Sequence, residues 1–311
     1  MEKAKVTILL AAYKGGEYAG AQIESILAQD CGCWQLVLSD DGEDTAALLD
    51  GYASAHPERI RHIRSGRRFG SAQKHFMYLL EHYGLETPYV MFSDQDDVWH
   101  PDKVRKTLAL MEETETDPAL PVLVHTDLKV VDGELKEIAP SFLDFSKMDG
   151  SRLAFHELLV QNVVTGCTVM INHALAELAA RAGDLPQMMM HDWWLALIAS
   201  ALGRTAFLPE ATIDYRQHGK NQVGAKNAGS FAYLKSRLNG QYAKDMRDGT
   251  IVQTAAFLKL YGAKLSEEQR KVCRAMTGLA SHGKLWRLRA MTRYHLWKNT
   301  LPRKTGQIIW W

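Results

Sequence analysis

This 311-residue sequence predicts an α/β domain with a mixed, mostly parallel sheet flanked by helices, followed by a C-terminal helical extension. Three observations carry that prediction. Apolar runs of strand length alternate with helix-spaced segments through the first hundred residues. Clusters of aspartate stand at the ends of two of those runs, and ligands of wound sheets gather beyond the carboxyl ends of the strands. The charge is also divided along the chain. Residues 1–225 hold 20 Lys and Arg against 32 Asp and Glu, whereas residues 226–311 hold 17 against 4. A net −12 followed by a net +13 implies two regions with different partners, one of them anionic.

Val6–Leu10 is a continuous apolar strand, and Tyr18–Ala28 has helical spacing with Ile23, Ile26 and Leu27 on one face. Trp34–Ser39 is a second strand, closed by Asp40-Asp41-Gly42 and followed by a helix through Ala46–Tyr52. Ile60–Arg64, a helix over Ala72–Glu81 and the strand Tyr89–Phe92 continue the alternation. From about residue 122 the pattern changes to a strand with a D-G turn, a β-branched strand over 163–172, a helix over 191–202 and two short strands within 205–218. Basic helices follow. The expected division is a domain over 1–224 and a basic helical region over 225–311.

Hydrophobic residues make up 46% and charged residues 23%, the composition of a folded soluble protein. Cys31, Cys33, Cys167 and Cys273 match no zinc-binding spacing, and with no signal peptide they read as reduced and cytoplasmic. No apolar run approaches the roughly 20 residues that span a bilayer. G-x-G-x-x-G after the first strand, a Walker A sequence, G-x-S-x-G and H-E-x-x-H are all absent.

The stretch from Tyr89 to Val104 ends an apolar strand in Asp94, Asp96 and Asp97. Two carboxylates about 5 Å apart repel by roughly 3 kcal/mol at an effective dielectric near 20. A divalent cation relieves that repulsion, and Mg²⁺ or Mn²⁺ suits hard carboxylate oxygens and phosphate. The alternative is that Asp96 or Asp97 caps the helix beginning near Pro101. Asp40 and Asp41 read either as turn chemistry or as acceptors for a base or sugar edge. Asp192, at the start of a helix, is either a cap or a general base. Arg216 suits a fork to phosphate oxygens and His218 a metal shell, against the readings of a surface arginine and a satisfied histidine.

Together these stretches resemble family 2 glycosyltransferases of the Rossmann-like GT-A fold over residues 4–224. VTILLAAYKGGEYAGAQIESILAQD is similar to the family's first strand, A-x-Y-N-G turn and helix; WQLVLSDDG resembles its nucleotide-contacting D-D-G; FSDQDDVWHPDKV resembles its D-x-D metal motif. HDWW stands at the place of its catalytic acidic pair and YRQHGKNQVG at its late loop. D-Q-D-D-x-W with Y-R-Q-H-G is most similar to the bacterial rhamnosyltransferase branch. The resemblance implies that Ala12 and Tyr13 border the base pocket and that Asp40 or Asp41 contacts base or ribose. Asp94 and Asp96 then hold the donor diphosphate through Mg²⁺ or Mn²⁺, Asp192 deprotonates the acceptor, and Arg216 and His218 face the diphosphate. Three departures concern the nucleotide pocket: Lys14 replaces the usual Asn, Glu43 the Ser of D-D-G-S, and His75 an Asn.

The resemblance further implies an inverting transfer from a nucleoside diphosphate sugar, with rhamnose a candidate, to a hydroxyl of a surface polysaccharide or lipid-linked glycan. A nucleotide-sugar-binding protein without turnover and a Mg²⁺-dependent phosphohydrolase are the competing readings. The basic tail, with Trp286, Trp297, Trp310 and Trp311, suits either an anionic membrane at the inner face of the cell or packing on the acidic domain, within one chain or across a homodimer. Nucleic acid is not expected, because no binding module accompanies the charge.

Overall fold

The sheet begins as the sequence anticipates. In a computed structural model describing residues 3–42, 44–183, 185–218 and 240–311, β1 (Val6–Ala12), β2 (Trp34–Asp40), β3 (Ile60–Ile63) and β4 (Tyr89–Ser93) lie in the order β3-β2-β1-β4, all parallel. Helices α1 (Ala19–Leu27), α2 (Ala46–Ala55) and α3 (Ala72–Tyr83) make the crossovers. The side-chain alternation of a strand explains why β1 is apolar throughout: Ile8 and Leu10 enter one core with α1, and Leu9 enters the other with α3.

Beyond β4 the sheet becomes mixed. The next elements are β5 (Val98–Trp99), α4 (Lys103–Thr114), β6 (Val122–Val131), β7 (Glu137–Ala139), α5 (Phe142–Phe145) and α6 (Phe155–Leu158). They are followed by β8 (Val169–Asn172), α7 (His173–Ala180), α8 (His191–Leu202) and β9 (Arg204–Arg216). β8 is antiparallel to both β4 and β6, β9 is parallel to β6, and β5 is antiparallel to β9.

Two expected elements take a different form. The strand foreseen over 163–172 forms only at Val169–Asn172. Upstream, the Asn162 side chain bonds both the N–H and the C=O of Val164, and the Thr168 hydroxyl donates to the Thr165 carbonyl. These local bonds satisfy backbone groups that a ladder would otherwise use. The two short strands expected within 205–218 are instead one strand, β9. Thr126 pairs with Leu208 and Asp127 with Ala211, so Pro209 and Glu210 bulge from an otherwise continuous ladder.

The C-terminal region comprises α9 (Gly240–Tyr261), α10 (Glu267–Gly278), α11 (Lys284–Arg293) and α12 (Leu301–Trp310). It shares the core of the α/β domain through α8. The fully buried Trp194 ring meets Phe257 edge-on at 5.5 Å and lies 6.0 Å from Tyr261, and Leu265, Met276, Met291 and Leu296 extend the same cluster. Truncating a buried aromatic of this kind costs about 3–5 kcal/mol. Among the described residues, no helix is long and apolar enough to cross a membrane.

Candidate active site

A cavity of about 1440 Å³ lies between the carboxyl ends of β1 and β4, the start of α8 and the C-terminal helices. Small-molecule sites occupy roughly 300–1,000 Å³, so there is room for two reactants. Ala12, Tyr13, Asp41, Asp94, Asp96, Asp192 and His218 line it, whereas Asp40 and Arg216 do not.

The strand ends are shaped by side chains that hold backbone. Asp40 accepts from the N–H groups of Gly42 and Thr45 at 2.9 Å each, which fixes the turn into α2. Asp41 accepts from the N–H groups of Phe69 and Gly70, and so ties the 69–70 loop against the pocket. Of the two acids that were alternatives for base or ribose, Asp41 is therefore the one facing the cavity. Tyr13 is half exposed at the rim, and Gln95 grips its backbone from both sides: Tyr13 N–H donates to Oε1 at 2.6 Å and Nε2 donates to the Tyr13 carbonyl at 2.7 Å. A Cβ on Gly15 would stand 2.2 Å from that Gln95 oxygen, so a larger residue there would push the Gln95 amide from its place on Tyr13. His75 stacks on Phe69 at 4.4 Å with its Nε2 2.8 Å from the Ser39 hydroxyl, and burial lowers it to about 4, leaving it neutral.

The metal loop is placed by pairing far along the chain. Because β5 runs antiparallel to β9, with Val98 opposite Asp214, residues 215–218 arrive beside Asp96 and Asp97. His218 Nε2 lies 2.7 Å from Asp96 Oδ2. Arg216 is buried, with Nε donating to the Asp96 carbonyl at 2.9 Å and Nη1 to that of Gly133, while its guanidinium covers the Tyr18 ring at 4.6 Å. In this placement the guanidinium bonds backbone carbonyls and is not among the residues lining the cavity. These bonds make Arg216 a brace for the D-x-D loop.

Asp94 is pushed up to about 7, first by burial and then by the charges of Asp96 and Asp192. A second group of possible ligands lies behind it: one atom each from Asp94, Asp97 and Cys167 fall within 4.8 Å of one another. Asp97 and Cys167 are buried and do not line the cavity, and burial pushes both above their ordinary values. Lys103, also buried and lowered to about 8 by that burial, feels the charges of Cys167 and Asp97. The cavity-facing set is Asp94, Asp96 and His218, whose hard oxygens and imidazole fit a divalent cation with phosphate on its open side.

Asp192 occupies the first turn of α8 and is 7% exposed. Burial raises it to about 7 against hydrogen bonds from the Trp193 and Gly166 N–H groups and the Asn162 side chain. Asn162 Nδ2 donates to Oδ1 at 3.2 Å. A carboxylate poised near neutrality and oriented by fixed donors is what a general base needs. Gly166 permits the approach, because a Cβ there would lie 2.8 Å from His191 Nε2. Trp193 Nε1 donates to the Leu158 carbonyl at 2.6 Å, so the two tryptophans after Asp192 anchor its helix to α6 and to the C-terminal core.

The glycosyl transferase family 2 model matches residues 7–178, more than half of the chain. The chain belongs to that family. It is a glycosyltransferase, and its sheet is the GT-A fold. It is 25% identical to the dTDP-rhamnosyl transferase RfbG of Shigella flexneri over 248 residues, 76% of this chain and 82% of that one. Among solved structures, S. aureus TarS in complex with UDP-GlcNAc matches with a TM-score of 0.55 at 12% identity, covering 98% of this chain and 90% of that one. The mannosyltransferase PcManGT from Pyrobaculum calidifontis, in complex with GDP-Man and Mn²⁺, matches with a TM-score of 0.53 at 16% identity, covering 99% and 84%.

Several residues of this glycosyltransferase site are not given a role by the sequence motifs: Gln95, Asn162, Gly166 and Cys167, the last lying beside the buried Asp97. Gln95 lies inside the D-x-D motif, so its position was a signal. Asn162 stands just before, and Gly166 within, a run that looks like strand, and their roles emerge only from the turn they make. The rest of the expected late loop, 219–224, lies outside the described residues.

Proposed function

We propose that the enzyme transfers a sugar from a nucleoside diphosphate donor to an acceptor hydroxyl with inversion, in one displacement. The observation that carries this reading is the single cavity into which Asp192, raised to about 7, and the D-x-D acids both open. Asp192 takes the proton from the acceptor oxygen as that oxygen attacks the anomeric carbon, and the nucleoside diphosphate departs from the opposite face. Asp94 and Asp96, with His218 beside them, would hold a Mg²⁺ or Mn²⁺ ion. When bound, the ion supplies charge neutralisation for the leaving diphosphate. Ala12, Tyr13 and Asp41 border the nucleotide, and Arg216 keeps the acidic loop in place.

The likeness to a dTDP-rhamnosyl transferase makes dTDP-rhamnose the first donor to try, and a surface polysaccharide or lipid-linked glycan the acceptor class. The basic C-terminal region supports a cytoplasmic enzyme working at the inner face of the membrane. The test is a thermal-shift screen of dTDP-rhamnose, UDP-GlcNAc and GDP-mannose with Mn²⁺, repeated with Asp96→Asn. A ligand at 100 times its dissociation constant adds about 2.7 kcal/mol. The expected result is a donor-specific shift lost in Asp96→Asn, and a shift unchanged by that substitution overturns the metal assignment.

A further inference from the structure

The carboxylates lining the cavity are unevenly divided. Beside β1 and β4 stand Glu17, Asp41, Asp94 and Asp96, with Lys14 and Arg68 among them; across from them, among the described residues, Asp192 is the only carboxylate. That far wall instead presents Lys147, Lys298 and Arg303. Neither Lys147 nor Arg303 has a carboxylate within ion-pairing distance among the described residues. Arg303 donates to the carbonyls of Lys147 and Ser146, both at 2.6 Å, so α12 is strapped to the turn after α5 with its charge intact.

The same wall also carries aromatic and apolar side chains. Trp310 is half-buried and lines the cavity with Tyr242 and Met246. Its ring lies close against Gly240, where a Cβ would meet it at 2.5 Å. Asn299 N–H donates to Gln161 Oε1 at 2.9 Å, one residue before the Asn162 that orients the base. A fixed aromatic face suits the apolar side of a sugar or an alkyl chain.

Resting on the proposed transfer reaction, we propose that residues 240–311 build the acceptor half of the site and that the acceptor is anionic. Its negative group lies at Lys147 and Arg303, and an adjoining apolar part lies on Trp310 while its hydroxyl reaches Asp192. A phosphate ester and a uronate carboxylate share this chemistry, and the probes separate them.

The experiment titrates the full-length protein, with Mn²⁺ and dTDP present, against octyl phosphate, octyl glucuronide and octyl glucoside by calorimetry. One anionic probe is expected to bind at least tenfold more tightly than octyl glucoside, and its chemistry names the source of the charge. Lys147→Glu, at an exposed position, should weaken that probe about tenfold and leave octyl glucoside unaffected; Trp310→Ala should weaken both. Equal affinity for charged and neutral probes, or no effect of Lys147→Glu, overturns the proposal. A separate titration of dTDP, UDP and GDP with Mn²⁺ reads the donor side; if none binds, the transfer reading fails whatever the acceptor probes do.

Discussion

On the side of the cavity nearest β1 and β4, aspartates and a glutamine bind backbone amides and leave a few carboxylate oxygens facing inward. On the side nearest α8 and α12, side chains from several helices meet, and the surface is cationic and aromatic. The first side is built mostly from residues 11–96, by strands that end together, with Tyr215 and His218 added from the end of β9; the second joins residues 142–166, 190–194 and 242–311. A site assembled from strand ends keeps its geometry through the sheet ladder. One assembled between helices keeps it through a shared core, which is why Trp194, Phe257 and Tyr261 bear on the position of Asp192. The difference suits the chemistry, since a donor diphosphate needs fixed hard ligands while acceptors differ in bulk and charge.

Replacing the base tests whether the two sides act separately. Asp192→Asn is expected to cut transfer by about two to four orders of magnitude while leaving nucleoside diphosphate affinity unchanged. Measured by product formation and calorimetry, an equal loss in both would place Asp192 on the donor side.

The pH dependence sharpens the same division. Asp192 and Asp94 both stand at about 7, with burial the first cause in each. In the proposed reaction each must lose its proton, one to act as base and one to accept a cation, so kcat/KM should fall by up to about a hundredfold per unit below pH 7. With Asp192→Asn the slope should drop to about tenfold. The sign for stability is opposite to that of a salt-bridged acid. Folded values raised above the ordinary 3.8 mean that the native state binds these protons more tightly. Their contribution is full below about pH 4 and is lost as pH rises through 7. Metal-free protein should therefore melt lower at pH 8 than at pH 5.5, and added Mn²⁺ should narrow the gap. Melting curves at the two pH values measure this.

A smaller effect is expected where the C-terminal helices hold the catalytic helix. Gln253, buried in α9, accepts from the Met189 N–H at 2.9 Å, three residues before Asp192. Gln253→Ala strands that amide, at a cost of about 1–3 kcal/mol. Stability and kcat should fall together while donor affinity holds, and a fall in donor affinity alone would detach α9 from the acceptor side.

The donor side was legible in the sequence because its strands are buried on both faces and end in acids at fixed spacings. Asp94, Asp96 and Asp192 all open into one cavity, as their motifs suggested. The bracing bonds of Arg216 were not legible, because nothing local indicates that backbone carbonyls 83 and 120 residues away accept from it. The burial of Asp97 depends on the β5–β9 pairing, and so was equally hidden. Residues 163–168 read as strand because β-branched composition reports burial; the Asn162 bonds that bend the segment toward Asp192 compete successfully only in that tertiary setting. The acceptor wall carries no motif. Its charge asymmetry was visible, but the folding of that charge back toward Asp192 was not.

The smallest expected effect concerns a residue where the sequence departs from its family. Lys14 follows the Tyr13 rim residue with φ of +54°, in the left-handed region. Such a conformation costs an ordinary residue roughly 1–2 kcal/mol, and Asn pays less because its short amide bonds nearby backbone. The Asn usual at this position therefore has a conformational reason, and the chain keeps the bend without it. Lys14→Asn should stabilise the protein by about 0.5–1 kcal/mol, read as a rise in Tm. The Lys14 side chain also lines the donor side, with Nζ 5.3 Å from the centre of the Tyr13 ring. If its charge serves the diphosphate, the same variant will lose donor affinity while gaining stability. If the affinity is unchanged, the lysine is tolerated rather than used, and the donor side depends on its carboxylates and its backbone turn.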